Sequence, residues 1–374
     1  MNAVDHTLLS VENLRKTFSI RGGFFRKPLT LTALDDVTFT VKTGETLGIV
    51  GESGCGKSTL GRCILQLLKP DDGKVLWLGQ DLVGLRAEAM RLWRQDLQVI
   101  FQDPLASLNP RMTVGDIIAD PLRALKPDLS RAERRARVIR MMEAVGLLPE
   151  MINRYPHEFS GGQAQRIGIA RALITEPKLI VCDEPVSALD VSIQAQILNL
   201  LADLKDEFGL TLVFISHDLG VVRHVSDRIM VLYLGRIVEM APGDALYAAP
   251  KHPYTRALLT AVPIADPKRA RERTIEGLVG EVPSPINPPS GCHFRTRCPY
   301  AIDDCAKARP PLEPAGDERV VACIRWREID EKGLAAATRA TTGAGDVPSP
   351  EAELRLEEVQ KPGFTPEDPR PDLL

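Results

Sequence analysis

Residues Gly51 to Ser58, GESGCGKS, satisfy the spacing G-x-x-x-x-G-K-[ST] at every fixed position. An apolar run, Thr46 to Val50, precedes them and reads as a buried strand. Leu60 to Leu68 follows with apolar residues at helical spacing. A strand, a glycine-rich turn and a helix in that order give the motif its meaning and read as α/β. The turn also dictates chemistry. Its successive backbone N–H groups close around a phosphate, the helix N-terminus adds positive potential, and Lys57 offers a point charge to the β and γ oxygens. Ser58 is then a ligand for Mg²⁺. Gly51, Glu52, Ser53, Gly54, Cys55, Gly56, Lys57, Ser58 and Thr59 form the candidate cradle.

A second stretch, Phe159 to Arg166 (FSGGQAQR), would be an ordinary loop without its sequel. Ala164 to Thr175 is a helix pattern, and Leu179 to Pro185 reads Leu-Ile-Val-Cys-Asp-Glu-Pro. Four apolar residues leading into two adjacent carboxylates describe a buried strand that ends at a charged site. Beside a phosphate cradle, Asp183 orients Mg²⁺ through water and Glu184 polarises an attacking water. The plainer alternative for the pair is a solvated strand end.

Over roughly Leu9 to Leu246 these residues resemble the ATP-binding cassette ATPases. The resemblance implies a P-loop NTPase fold: a RecA-like core with a β-subdomain and a helical subdomain, plus a small C-terminal metal-cluster extension. It implies roles residue by residue. Phe18 resembles the aromatic that stacks on adenine. Gln102, in Val-Ile-Phe-Gln-Asp-Pro, resembles the glutamine that touches Mg²⁺ and the membrane partner. Ser160, Gly161, Gly162 and Gln163 resemble the clamp that closes over ATP, and Ser187-Ala-Leu-Asp190 resembles the loop that links two active sites. His217, after Leu212 to Ser216, resembles the switch histidine at the γ-phosphate. The plainer alternatives are core for Phe18, a solvated loop residue for Gln102 and a satisfied strand-end histidine for His217. Phe159 stands where many relatives have leucine, an apolar exchange that touches no catalytic group.

The chain has one cradle, one clamp and no internal repeat. In the family it resembles, the clamp of one cassette closes over the ATP in the cradle of another, so the resemblance implies a second cassette, from an identical or similar chain. The remaining partners implied are two integral membrane permease subunits and an extracytoplasmic solute-binding protein. Composition agrees. Hydrophobic residues make up 44% of the 374 and charged residues 26%, and the formal net charge is -3 without a long basic run. That balance argues against a nucleic-acid binder that works by neutralising phosphates. The arginines between Arg131 and Arg140 alternate with alanine and valine and read as a solvated helix face. No stretch approaches the roughly eighteen apolar residues of a membrane span, and Met1 to Ser10 lacks the pattern of a secretion signal. The expected location is peripheral, on the cytoplasmic face of the inner membrane.

Leu8 to Phe18 and Leu34 to Val41 read as strands separated by an exposed hairpin or loop, Ile20 to Thr32. Arg86 to Gln95 and Val114 to Gly146 are mostly helical patterns, which puts a helical subdomain at about 88–172 of a cassette spanning 1–248. The segment from Gln102 to Asp116 resembles the peptide-importer branch. So does the region 249–327, where His252-Pro-Tyr-Thr-Arg-Ala-Leu-Leu259 is followed by Pro283, Pro285, Pro288 and Pro289 and then by cysteines. Within that branch Glu52 to Arg62 is closer to the second of the two ATPases such systems encode. The branch implies uptake of di- or oligopeptides, and also serves nickel, glutathione, opines and some sugars.

Cys55, Cys63 and Cys182 are scattered through the cassette as small buried or cradle-lining residues, Cys55 with the alternative of a reactive thiol. Cys292, Cys298, Cys305 and Cys323 cluster, with five, six and seventeen residues between them. A reducing cytosol disfavours disulfides, while the spacing fits poorly with the short gap usual for structural zinc. The resemblance implies a [4Fe-4S] cluster on these four thiolates, in a structural role, with Zn²⁺ and no metal as alternatives. Residues 328–374, rich in alanine, glycine, proline and acidic residues, read as a disordered tail.

Overall fold

The computed structural model describes residues 6–20, 28–260, 280–316 and 318–329. Almost all of the expected tail lies outside them. Strands β1 (Thr7–Ile20) and β2 (Leu29–Lys42) pair antiparallel, with Ser10 opposite Thr40 and Phe18 opposite Leu31. The expected loop is thus shorter than Ile20 to Thr32, because Leu29 to Thr32 continue β2; residues 21–27 are not among those described. β3 (Thr46–Val50) is buried along its whole length and leads through the glycine-rich turn into α1 (Lys57–Ile64). This helix starts earlier and ends earlier than its apolar pattern suggests, since Gln66 takes the left-handed conformation at φ 52° and stops it. Strands β4 (Asp72–Trp77) and β5 (Gln80–Asp81) complete a four-stranded antiparallel sheet in the order β2-β1-β4-β5.

The helical region follows: α2 (Ala87–Trp93), strand β6 (Leu97–Ile100), α3 (Pro104–Ser107), α4 (Val114–Leu125), α5 (Arg131–Ala144) and α6 (Gly161–Leu173). Ile117, Ile118 and Leu122 of α4 pack with Val138 and Met142 of α5 and Ala164 and Ile167 of α6 in one apolar cluster, with Phe159 at 8% exposure. Ser130 and Glu133 form a reciprocal capping box that starts α5, and Ser160 and Gln163 do the same for α6.

The chain then returns to the core with β7 (Leu179–Asp183), α7 (Val191–Phe208), β8 (Thr211–Ile215), α8 (Leu219–Val225), β9 (Arg228–Tyr233) and β10 (Arg236–Pro242). β6, β7, β8, β3 and β9 are parallel neighbours in that order, and each of β3, β7 and β8 is buried throughout, as a strand covered on both faces must be.

Helices α9 (Gly243–Ala248) and α10 (Pro253–Thr260) lead toward the cysteine-bearing segment, with one turn of helix, α11 (Asp304–Lys307), inside it. Strands β11 (Glu313–Pro314) and β12 (Val320–Val321) extend the main sheet to the order β11-β12-β10-β9-β3-β8-β7-β6. The extension is therefore built onto the core sheet. Its anchor is a buried ion pair, Arg319 to Glu239 at 2.6 Å, in which Glu239 also accepts the backbone N–H groups of Lys251 and His252. Phe294 completes it, with its ring centroid 5.3 Å from those of both Tyr233 and Tyr254.

Candidate functional site

The carboxyl ends of the parallel strands converge on a cavity of about 490 Å³, the position where open α/β sheets bind ligands. Phe18 of β1, Ser53, Gly54, Gly56, Lys57, Ser58 and Thr59 of the turn and α1, Gln102 after β6, Glu184 after β7 and His217 after β8 all line it. Two glycines of the turn are sterically required. At Gly51, φ 154°, a Cβ would overlap the carbonyl oxygen of Leu232. At Gly56, φ 108°, it would overlap that of Ala33. Lys57 is 4% exposed and donates to the carbonyl oxygens of Gly51 at 2.8 Å and Glu52 at 3.0 Å, so its ammonium lies within its own loop.

Behind the loop the Ser58 hydroxyl donates to Asp183 Oδ1 at 2.7 Å. Burial raises the Asp183 pKa above the usual carboxylate value, with Ser58 and Arg62 pulling the other way. Glu184 Oε2 accepts from Gln102 Nε2 at 3.0 Å and lies 3.3 Å from His217 Nδ1. One carboxylate oxygen thus meets groups from two other strand ends. Glu184 also sits at φ 48°, a conformation disfavoured for a residue with a Cβ, and its N–H donates to Ile215 at 3.0 Å. Tertiary structure imposes that backbone, and it turns the side chain onto the cavity beside Gln102 and His217.

The clamp lies elsewhere. Ser160 caps α6, Gly161 and Gly162 pack on Leu189 and Ile193, and Asp190 begins α7, exposed and without a side-chain cap bond. None of Ser160, Gly161, Gly162, Gln163 or Asp190 lines the cavity. Of the cradle residues, Gly51, Glu52 and Cys55 do not line it. Cys55 is 4% exposed, with its thiol pKa raised by burial, which speaks against a reactive thiolate there.

Glu52 has a partner that its motif does not announce. Arg297 grips its carboxylate through two nitrogens, at 2.6 and 3.0 Å, and the Tyr254 hydroxyl accepts the Glu52 backbone N–H at 2.9 Å. Arg297 lies between Cys292 and Cys298, 245 residues along the chain.

The four clustered cysteines line one small cavity of about 20 Å³ together with His252, Phe294, Tyr300 and Ile324, and none is in a disulfide. The expected metal centre is not assembled, however. Among the described residues no three His, Cys, Asp or Glu side chains are grouped as a metal ion needs. Burial is the main reason that the thiols of Cys298 and Cys323 are pushed up to about 12 and about 11, with the neighbouring cysteines adding to the rise. Neutral thiols do not draw together as charged ligands do around a cation.

Residues 34–187 match the family model described as ABC transporter, and residues 238–305 match the oligopeptide/dipeptide transporter C-terminal region. The oligopeptide transport ATP-binding proteins OppF of Escherichia coli strain K12 and Salmonella typhimurium strain LT2 are each 60% identical over 331 residues, which cover 87% of this chain and 99% of theirs. Among solved structures, the dimeric ATP-binding cassette MJ0796 bound to ADP and Pi superposes with a TM-score of 0.56 at 32% identity, over 63% of this chain and 98% of its own.

Proposed function

Since this chain belongs to the ATP-binding cassette transporter ATPases, we propose that it is the ATP-hydrolysing subunit that energises uptake of di- and oligopeptides through an importer of the cytoplasmic membrane. What carries the reading is the joining of two observations. Lys57, Ser58, Gln102, Glu184 and His217 share one cavity, and the relatives matched along nearly their whole length are oligopeptide-transport ATPases.

The loop N–H groups and Lys57 hold the β and γ phosphates of ATP, and Phe18 stacks on the adenine. Ser58, Asp183 and Gln102 suit Mg²⁺, because hydroxyl, carboxylate and amide oxygens are the hard donors it takes and phosphates supply the rest. Mg²⁺ held there by Ser58, Asp183 and Gln102 would supply positive charge to the phosphates and favour the ionised form of Asp183. Glu184 accepts a proton from the attacking water, while Gln102 and His217 fix the orientation of its carboxylate.

The clamp at Ser160 to Gln163, capped at the positive end of α6, faces the nucleotide of a second cassette, and Asp190 belongs to the same contact. Two bound ATP molecules then hold two cassettes together. Hydrolysis removes the γ-phosphate contacts and lets them part, a shift of populations that drives two permease subunits between inward-facing and outward-facing states. Among the described residues no helix is long and apolar enough to cross a membrane, so attachment at the cytoplasmic face runs through those subunits. An extracytoplasmic solute-binding protein delivers the peptide.

A [4Fe-4S] cluster on Cys292, Cys298, Cys305 and Cys323 is the finer part of this proposal. Four thiols opening on one cavity are the donor set it needs, while a cavity of about 20 Å³ requires the thiols to part and lose their protons on loading. The cluster would staple the segment. Iron and acid-labile sulfide measured on anaerobically purified protein should both be present. Zinc without sulfide would replace the cluster with a mononuclear site.

The function is tested by purifying the chain from membranes with its partners and reconstituting them. ATP hydrolysis should rise when peptide-loaded binding protein is added. A complex that lacks membrane subunits, or hydrolysis unmoved by peptide, would overturn the reading.

A further inference from the structure

We infer that Arg297 is a positioning residue for the phosphate loop: by neutralising and anchoring Glu52 it sets the loop to receive ATP, so the cysteine-bearing extension is a working part of the nucleotide site. The inference rests on the ATPase reading above.

Glu52 is the second residue of the loop, between Gly51 and the N–H groups that close on phosphate. An unpaired carboxylate in that loop would add, in a partly buried setting, charge of the triphosphate's own sign beside the place that receives it. The structure answers that charge with a planar guanidinium in a bidentate grip, and only 4% of the Arg297 side chain is exposed. An arginine guanidinium keeps its charge at any working pH. The guanidinium is itself fixed, 6.0 Å from the centroid of the Tyr233 ring and hydrogen-bonded to the Tyr233 hydroxyl at 3.5 Å.

A second tie acts on the backbone. The Tyr254 hydroxyl accepts the Glu52 N–H, while Lys57 Nζ takes the Glu52 carbonyl oxygen. Side chain, N–H and C=O of one loop residue are therefore each held, two of them by residues that follow the cassette strands. Phe294 packs edge to face with Tyr233 and Tyr254 packs on that ring at a tilt, so both ties spring from one aromatic cluster. Arg297 immediately precedes Cys298, which places the loop's anchor next to a wall of the cysteine cavity. Neither a structural cap nor a solvated ion pair needs this arrangement, because a surface pair leaves both partners wet and contributes little.

The test uses the full chain, with ATP affinity measured calorimetrically alongside thermal stability. Arg297→Gln should weaken ATP binding roughly 5- to 20-fold, through the loss of a charge-assisted pair and the exposure of the loop to the Glu52 charge. Adding Glu52→Gln in that background should restore most of the loss, since the offending carboxylate is gone. A residue that merely holds the extension together would show no such rescue. Arg297→Lys, which keeps the charge and loses the fork, should fall between. If Arg297→Gln fails to fold, Tyr254→Phe removes the second tie at nearly constant volume and should weaken ATP binding several-fold. Affinities within twofold of the parent for Arg297→Gln, or for Tyr254→Phe in its place, overturn the inference, as does the lack of rescue. Failure of the parent chain to bind ATP at all would instead overturn the ATPase reading.

Discussion

The nucleotide cradle and the cysteine cavity lie at two ends of one short path, from Lys57 through Glu52 and Arg297 to Cys298, yet they are built on opposite terms. The cradle is about 490 Å³, polar, and shaped by backbone: two glycines that admit no Cβ, a left-handed helix cap at Gly56, and carbonyl oxygens that occupy Lys57. The cysteine cavity is about 20 Å³, and its walls are side chains, Phe294, Tyr300 and Ile324 among them. A site shaped by backbone turns exists wherever the turn forms. A site shaped by thiols takes its form from whatever the thiols bind, since neutral sulfur packs as a small apolar group. The difference explains why the cradle is open and shaped in advance while the cysteine cavity is closed.

The largest way to break the comparison is at Glu184. If the cradle is preorganised for hydrolysis, Glu184→Gln should keep ATP affinity while lowering turnover of the assembled complex by roughly 10² to 10⁴-fold, the span expected of a general base. Near-normal turnover would remove Glu184 from that role and leave its contact with Gln102 and His217 as packing. Next comes Lys57→Ala, which takes a charge-assisted contact from the phosphates and should weaken ATP binding by about 10- to 100-fold. Unchanged affinity there would mean that the loop's N–H groups suffice alone.

The two ends also differ in how far the sequence reveals them. Gly51, Gly56, Lys57 and Ser58 are legible because steric demand and charge leave few residue types able to serve, and the five-residue strand β3 was marked by an unbroken apolar run. The acid pair was legible for the same reason, at the end of β7. The left-handed backbone of Glu184 was not, because nothing in Asp-Glu-Pro predicts a φ of 48°; β8 and the Ile215 carbonyl impose it. Nor was the bond from Arg297 to Glu52, which spans 245 residues and depends on β9 and α10 delivering Tyr233 and Tyr254 to one cluster. The separation of clamp from cradle was not legible in any local pattern; it came from the family resemblance applied to a chain with one of each. α1 shows the limit of periodicity: its apolar spacing runs to Leu68, but the conformation of Gln66 ends it.

A sharper probe of the cysteine end is Cys323→Ser. Where the four thiols hold a cluster, this change should lower bound iron and sulfide and reduce the melting temperature by several degrees, as loss of a structural metal centre does. Equal iron content in parent and variant would leave the cavity as ordinary apolar packing, and the shift should then shrink to that of one buried hydroxyl.

The smallest effect belongs to the hinge between the two ends. His252 is fully buried, its Nδ1 accepts the Tyr254 backbone N–H at 3.1 Å, and burial holds its pKa down to about 3 against an ordinary 6.5. The unfolded chain binds a proton here below 6.5 and the folded chain does not until about 3. The stability this histidine contributes is therefore complete above pH 6.5 and is lost as pH falls toward 3, by about 1 kcal/mol at pH 5.5. His252→Asn keeps an acceptor for the Tyr254 N–H without titrating, so its melting temperature should decline less between pH 7 and pH 5. Carboxylates such as Asp35, where burial raises the pKa but the bond and charge of Arg236 with the charges of Arg309 and Arg15 together lower it further, lose their contribution at still lower pH in both proteins. Parallel slopes for parent and variant would mean that the imidazole is hydrated on protonation. Tyr254 would then be seated less firmly than its tie to Glu52 requires, and the rigid path between cradle and cysteines would be broken at its aromatic joint.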